Sequence, residues 1–168
     1  MGSRVRVRAA RAEDVPAMAR MHVQSWRDTY RGLMRDEVLD DPTLVQRREE
    51  FWITALTDER YAGNRAAVAE HDGEIVGVAM AGPPLEETSS AVQLYILYVS
   101  VAHLGEGVGL DLLNAVVRPS EGVCLWVADP NPRAQAFYVK HGFCPDGADT
   151  VADGVREIRM TRSARSER

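Results

Sequence analysis

Leu94-Tyr95-Ile96-Leu97-Tyr98-Val99-Ser100-Val101, then Ala102-His103-Leu104, then Gly105-Glu106-Gly107-Val108-Gly109, is the stretch on which the reading of this chain turns. Val92 to Val101 is dense in β-branched and aromatic residues and predicts a buried strand. Leu110, Leu112, Leu113, Val116 and Val117 predict a helix after the glycines, closed by Pro119. A strand feeding a glycine turn that opens a helix presents unpaired backbone N–H groups at the positive end of the helix dipole. Glycines also let that backbone approach a phosphate closely. The segment therefore predicts an anion site, best matched by a diphosphate; a tight turn that binds nothing is the alternative. The dinucleotide fingerprint G-x-G-x-x-G fails, because its third glycine falls on Leu110 or on Leu112.

Working outward, Arg4 to Arg8 alternates charged and apolar residues and predicts a half-buried strand. Val15, Met18, Ala19, His22 and Trp26 recur at helical spacing, giving a helix over about Ala12 to Trp26 with Glu13 and Asp14 in its first turn. Pro42 and Thr43 offer a second helix start, continued by Leu44, Arg47, Arg48, Phe51, Trp52 and Ala55. Ala66 to Glu70, Asp72-Gly73 and Glu74 to Ala81 predict a hairpin, for which Asp-Gly is the strongest short signal. Val123 to Val127 predicts a further buried strand, Pro132 to about Lys140 a helix stopped by Gly142, and Phe143 onward and Val155 to Thr161 two last strands. This order suits a mixed α/β (α+β) sheet with helices on both faces.

The 168 residues, 18.6 kDa, fit one domain, expected over residues 4–162, with Ser163 to Arg168 expected as a frayed tail. Apolar residues make up 45% and charged residues 27%, which excludes disorder along the whole length. A net charge of −5 gives no sign of a nucleic-acid partner. Lys140 is the only lysine, which excludes a phosphate-loop NTPase. Cys124 and Cys144 are too few for a disulfide scaffold and fit a reducing compartment. No apolar run is long enough to cross a membrane, and Arg6 stands where a myristoylation signal wants Ser or Thr, so a cytoplasmic protein is expected. Met1-Gly2-Ser3 reads in part as a cloning remnant. His22, His71, His103 and His141 form no i, i+4 pair and the cysteines no C-x-x-C, so no metal is expected.

A second segment runs Leu125-Trp126-Val127-Ala128-Asp129-Pro130-Asn131-Pro132-Arg133-Ala134-Gln135-Ala136-Phe137-Tyr138-Val139-Lys140-His141-Gly142-Phe143. Together the two segments resemble the GNAT family of N-acetyltransferases. The first is similar to its acetyl-CoA motif, a strand followed by R/Q-x-x-G-x-G/A. The second is similar to N-x-x-A-x-x-F-Y-x-x-x-G-F, with Asn131, Ala134, Phe137, Tyr138, Gly142 and Phe143 in place. Glu74 to Ala79 and Arg156 to Met160 resemble its third and last strands, so the likeness covers nearly the whole chain. It implies the acyl-CoA N-acyltransferase fold: a central, mixed, mostly antiparallel sheet of about seven strands, flanked by about four helices.

The resemblance also implies transfer of an acetyl group from acetyl-CoA to a primary amine, by direct attack in a ternary complex. It implies a splayed strand whose backbone around Tyr98, Val99 and Val101 pairs with the pantetheine arm, the amide near Val99 polarising the thioester. Leu104, Gly105, Glu106, Gly107, Val108 and Gly109 would hold the diphosphate, with Asn131 and Tyr138 also at the cofactor. Tyr138 would protonate the departing thiolate. Leu104 departs from the family pattern, which has Arg or Gln there, so one side-chain contact to phosphate is missing.

The general base stays open among His22, Glu70, His71, His103, Asp129 and a bound water, with Gln93 where many members have glutamate. Trp26, Tyr30, Gln93 and Tyr95 are the candidate acceptor residues. Asp28, Asp36, Glu37, Asp40 and Asp41 make the neighbouring stretch acidic, which suits an amine, although such clusters are more often merely solvated. The expected partner is a small-molecule or peptide amine, with no membrane partner, and a homodimer is the default assembly. Two other readings remain: a non-catalytic acyl-CoA sensor on the same scaffold, motivated by Leu104 and Gln93, and an acyltransferase using a longer acyl-CoA.

Overall fold

A computed structural model describes residues 4–166; Met1-Gly2-Ser3 and the last two residues of the expected tail lie outside them. The chain runs β1 (Arg6–Ala9), α1 (Val15–Tyr30), α2 (Asp36–Leu39), α3 (Leu44–Thr57), β2 (Arg65–His71), β3 (Glu74–Gly82), β4 (Val92–Val99), α4 (Val108–Val116), β5 (Val123–Ala128), α5 (Pro132–Lys140), β6 (Cys144–Ala152) and β7 (Val155–Arg162). The strands form one sheet in the order β1-β2-β3-β4-β5-β7-β6. Only β4 and β5 pair in parallel, because α4 carries the chain back between them. The architecture is the expected mixed sheet of seven strands, with five α-helices instead of about four; the additional one, α2, has four residues.

Alternation along the strands divides the core between the two faces. Val68, Val78, Met80 and Ile96 face α1 and α3, where they pack with Met18, Ala19 and Trp52. Ala67, Ala69, Ala79 and Leu94 face α4, where they meet Leu112, Leu113 and Val116. The α4 face is floored with alanines, so the helix sits close to the sheet. A Cβ built on Gly77 would lie 2.8 Å from Leu112 Cδ1. Tyr138 and Phe143 close the same core from the α5 end.

Several boundaries differ from the sequence reading for identifiable reasons. Helix α1 continues to Tyr30, where the Tyr30 hydroxyl meets that of Tyr98 at 3.3 Å. Strand β4 ends at Val99, two residues short of expectation; Val101–His103 is a 3-10 turn, and Val101 is 63% exposed. Helix α4 begins at Val108, inside the glycine segment, since Gly107 adopts φ +83° and serves as its N-cap. The Asp72-Gly73 hairpin forms as predicted, with positive φ at both residues.

Trp52 is fully buried beneath α1 and donates its indole N–H to His22 Nδ1 at 3.1 Å. Trp52→Ala is expected to lower unfolding free energy by about 3–5 kcal/mol, read from the urea midpoint.

Candidate functional site

Strands β4 and β5 pair only at Val92–Val123, Gln93–Cys124 and Leu94–Leu125, and then separate. Beyond Leu125, strand β5 is held by β7 alone, through Trp126–Arg159, Val127–Ile158 and Ala128–Glu157. The Ser100 amide donates to the Val76 carbonyl on β3 at 2.8 Å. Antiparallel alternation then turns the Val99 and Leu97 amides to the opposite edge, into the gap that β5 leaves. An open wedge of sheet edge, with unpaired donors, lies in the middle of the molecule.

The glycine turn stands at the end of this wedge. Gly105 and Gly107 have φ of +80° and +83°, and a Cβ on either would meet nothing within 4 Å. Their backbone is therefore open toward solvent. The first N–H groups of α4, from Val108 to Leu110, precede its first helical bond, Asp111 N–H to Gly107 carbonyl at 3.1 Å. These donors and the helix dipole suit an anion. Gly109 serves packing instead: a Cβ there would lie 3.1 Å from Phe137 of α5. His103 Nδ1 lies 2.9 Å from Glu106 Oε2 beside the turn.

Tyr138 is buried between Phe137 and Phe143, with ring centroids 5.4 and 5.5 Å away. Burial, with a smaller effect of Tyr30, pushes its phenol well above the ordinary tyrosine value, so it stays protonated at neutral pH. Asn131 caps α5, its side-chain oxygen accepting from the Ala134 amide at 3.3 Å.

On the α1/α3 face, a cavity of about 740 Å³ opens between α1, α3, β4 and the β6–β7 hairpin. Trp26, Tyr30, Gln93 and Tyr95, the four candidate acceptor residues, all line it, together with Tyr98. A register shift between β3 and β4 at Met80/Ala81 makes this possible. The bulge puts Gln93, Tyr95, Ile96 and Tyr98 on the same cavity although strict alternation would divide them. Gln93 accepts the Leu85 amide at 3.0 Å, and the Tyr95 hydroxyl donates to the Pro83 carbonyl, so both pin the 83–85 loop at the cavity rim.

Of the five acids expected to draw an amine, four are committed elsewhere, and Glu37 does not line the cavity. Asp36 and Asp40 pair with Arg31, Asp41 accepts from Thr43 and Arg47, and Asp28 accepts from Gln24. The carboxylates that line the cavity are Glu50, Asp153 and Glu157, none of them singled out in the sequence. Burial, then the nearby Asp153, raises the Glu157 carboxyl above its usual value.

Four of the candidate bases lie away from this cavity. Glu70 pairs with Arg8 at 2.9 Å. Asp129 binds Arg156 and Gln135. His71 stands 3.8 Å from Asp72, and its ring is 4.9 Å from that of His103. His22 borders the cavity, but its Nδ1 accepts from Trp52, which places its own proton on Nε2 and leaves no free lone pair for proton abstraction. Among the described residues, no group of three His, Cys, Asp or Glu is arranged to hold a metal, and no helix is long and apolar enough to cross a membrane.

Comparison with known proteins matches this architecture. The profile of the Acetyltransferase (GNAT) family matches residues 18–143. A probable N-acetyltransferase of Mycobacterium tuberculosis is 33% identical over 150 residues, 86% of this chain and 83% of that protein. An uncharacterized N-acetyltransferase of Bacillus subtilis is 25% identical over 76% of this chain and 74% of its own length. Among solved structures, the PaiA N-acetyltransferase of Thermoplasma acidophilum, in complex with coenzyme A, superposes with a TM-score of 0.74 at 18% identity, over 95% of this chain and 99% of that one.

Burial, and secondarily the charge of Arg48, holds the His22 imidazole at about 3. Its unfolded value is higher, so the unfolded state binds more protons below about pH 6.5. Stability is therefore expected to fall as pH drops from about 6.5 toward 3. In His22→Asn the dependence should be flatter over that window, as measured by urea unfolding at a series of pH values.

Proposed function

The chain belongs to the acetyltransferase (GNAT) family, and from that premise we propose that residues 4–162 act as one unit transferring an acetyl group from acetyl-CoA to a primary amine, by direct attack in a ternary complex. The observation that carries this reading is the wedge where β4 leaves β5, with the open glycine turn at its end and Tyr138 buried alongside. The residues present fit acetyl-CoA as substrate. Backbone donors from Gly105 to Gly109 take the diphosphate, with Leu104, Glu106 and Val108 forming the rest of the turn. The β4 edge at Tyr98 and Val99 lines the pantetheine arm, and Asn131 stands at the start of the helix that carries Tyr138. Val101 has a smaller part than the family pattern implies, because it has left the strand.

The Val99 N–H donates to the thioester carbonyl oxygen and stabilises the negative charge that develops there. The amine nitrogen forms a bond to the carbonyl carbon, and the carbon–sulfur bond then breaks. Tyr138 gives its phenolic proton to the departing thiolate; burial keeps the phenol protonated at neutral pH and makes it a weaker acid than a free tyrosine, so transfer follows the build-up of charge on sulfur. The amine enters from the cavity lined by Trp26, Tyr30 and Tyr95. Glu157 is the group best suited to take the amine proton. It lines the cavity on β7 and, with its carboxyl raised by burial, has greater basicity than an ordinary carboxylate.

Calorimetry is expected to detect acetyl-CoA binding; none up to about 1 mM would remove the proposal. Steady thiol release with amines excludes a non-catalytic sensor, and relative turnover of acetyl-, propionyl- and succinyl-CoA identifies the donor. Tyr138→Phe is expected to lower kcat about a hundredfold while still binding acetyl-CoA. A Tyr138→Phe enzyme with full kcat would take the acid role from this residue.

A further inference from the structure

The acceptor cavity contains a cation with no salt-bridge partner among the described residues. Arg48 of α3 lines it, with the guanidinium carbon 5.0 Å from the Trp26 ring centroid and 5.2 Å from that of Phe51. Among the described residues Arg48 takes part in no salt bridge, and its Nε is buried with no hydrogen-bond partner. The Trp26 indole N–H beside it is buried and has the Tyr98 hydroxyl as its neighbour. Arg47, the neighbouring arginine on the same cavity, is in contrast paired with Asp41 at 2.9 Å. Buried donors without acceptors are uncommon and costly, and the Arg48 Nε is one.

We propose that the acetyl acceptor is an amine that also carries a carboxylate, and that Arg48, stacked on Trp26 and Phe51, holds that carboxylate. This rests on the reading of the cavity as the acceptor site. Aromatic rings cover the faces of a guanidinium and leave its edge, the donor fork, for an in-plane acceptor. A carboxylate matches that fork with two parallel hydrogen bonds. Glu50, Asp153 and Glu157 give the rest of the lining the opposite sign, which suits the ammonium end of the same molecule. Asp153, at the tip of the β6–β7 hairpin, lines the same cavity, yet it makes no salt bridge with Arg48. A polyamine would leave Arg48 unpaired in the cavity and add cations beside it. A free amino acid satisfies both ends, and a cavity of about 740 Å³ also leaves room for a larger amine-bearing acid.

The test compares acceptors in matched pairs that differ only at the acid: L-amino acids and their carboxamides, and 4-aminobenzoate and 4-aminobenzamide. Turnover is measured with saturating acetyl-CoA for the unaltered enzyme, Arg48→Met and Arg48→Lys. The carboxylate member is expected to exceed its carboxamide in kcat/KM by roughly ten- to a hundredfold in at least one pair. Arg48→Met should collapse that ratio toward one, mainly through KM, and Arg48→Lys should restore part of it. Calorimetric acetyl-CoA affinity of the variants reports that the fold and the donor site are intact. Equal rates within every pair, no turnover of any member, or a ratio that survives Arg48→Met would each overturn the assignment. Because donor binding is read separately, an enzyme that binds acetyl-CoA but ignores the carboxylate loses only the Arg48 role, whereas one that fails to bind acetyl-CoA loses the acetyl-transfer reading too.

Discussion

The structure depends on a pairing that stops early. After Leu94 meets Leu125, β4 and β5 part, and among the described residues no strand takes the vacated edge. A parallel pair inside an otherwise antiparallel sheet normally zips along its length, because each unpaired N–H or C=O gives up a hydrogen bond. Here two attachments pull in different directions. Strand β4 is held by β3 as far as Val99, and β5 is held by β7 as far as Ala128. Each keeps a full antiparallel neighbour on its outer side, so the wedge opens without loosening either half of the sheet.

What surrounds the wedge follows from that geometry. Helix α4 lies on an alanine floor and brings its N-terminus, with the glycine turn, to the end of β4. Helix α5 follows β5 and carries Tyr138 into the core beside Phe143, and a Cβ built on Gly109 would lie 3.1 Å from Phe137, so glycine there lets the two helices approach closely. On the other face, α1 and α3 cover the sheet only in part, which leaves the aromatic cavity. The bulge at Met80/Ala81 turns an extra β4 side chain into it. The two substrates of the proposed reaction thus reach the wedge from opposite faces of one sheet.

Much of this was legible in the chain because the signals are local. The glycine turn, the Asp72-Gly73 hairpin and the N-cap at Asn131 depend on residues a few positions apart. Trp26 and Tyr30 share a helix face by spacing, and their rings stand 6.0 Å apart on the cavity. The Asp153-Gly154 turn carries the same local signal as the first hairpin, with positive φ at both residues, and was readable by the same rule. Glu157 was not: the alternation of a last strand gives no indication that one of its acids will be half-buried beside Tyr30. Arg48 was hidden for a similar reason, since in a helix of mixed charges nothing marks the one arginine that lacks an acid.

The acidic stretch from Asp28 to Asp41 illustrates the converse. Its density of carboxylates is a real feature of the sequence, but Arg31 and Arg47 lie within reach of it, and Asp41 also holds the start of α3. Once those short-range pairs form, little charge is left to act at a distance across water, where screening is strong. The cavity is different at Arg48 and Glu157, which are half-buried beside aromatic rings, and charges there interact more strongly than on the surface. Charge count along a chain is therefore a poor guide to where an ionic ligand binds. Burial decides it, together with whether the protein has already supplied the partner.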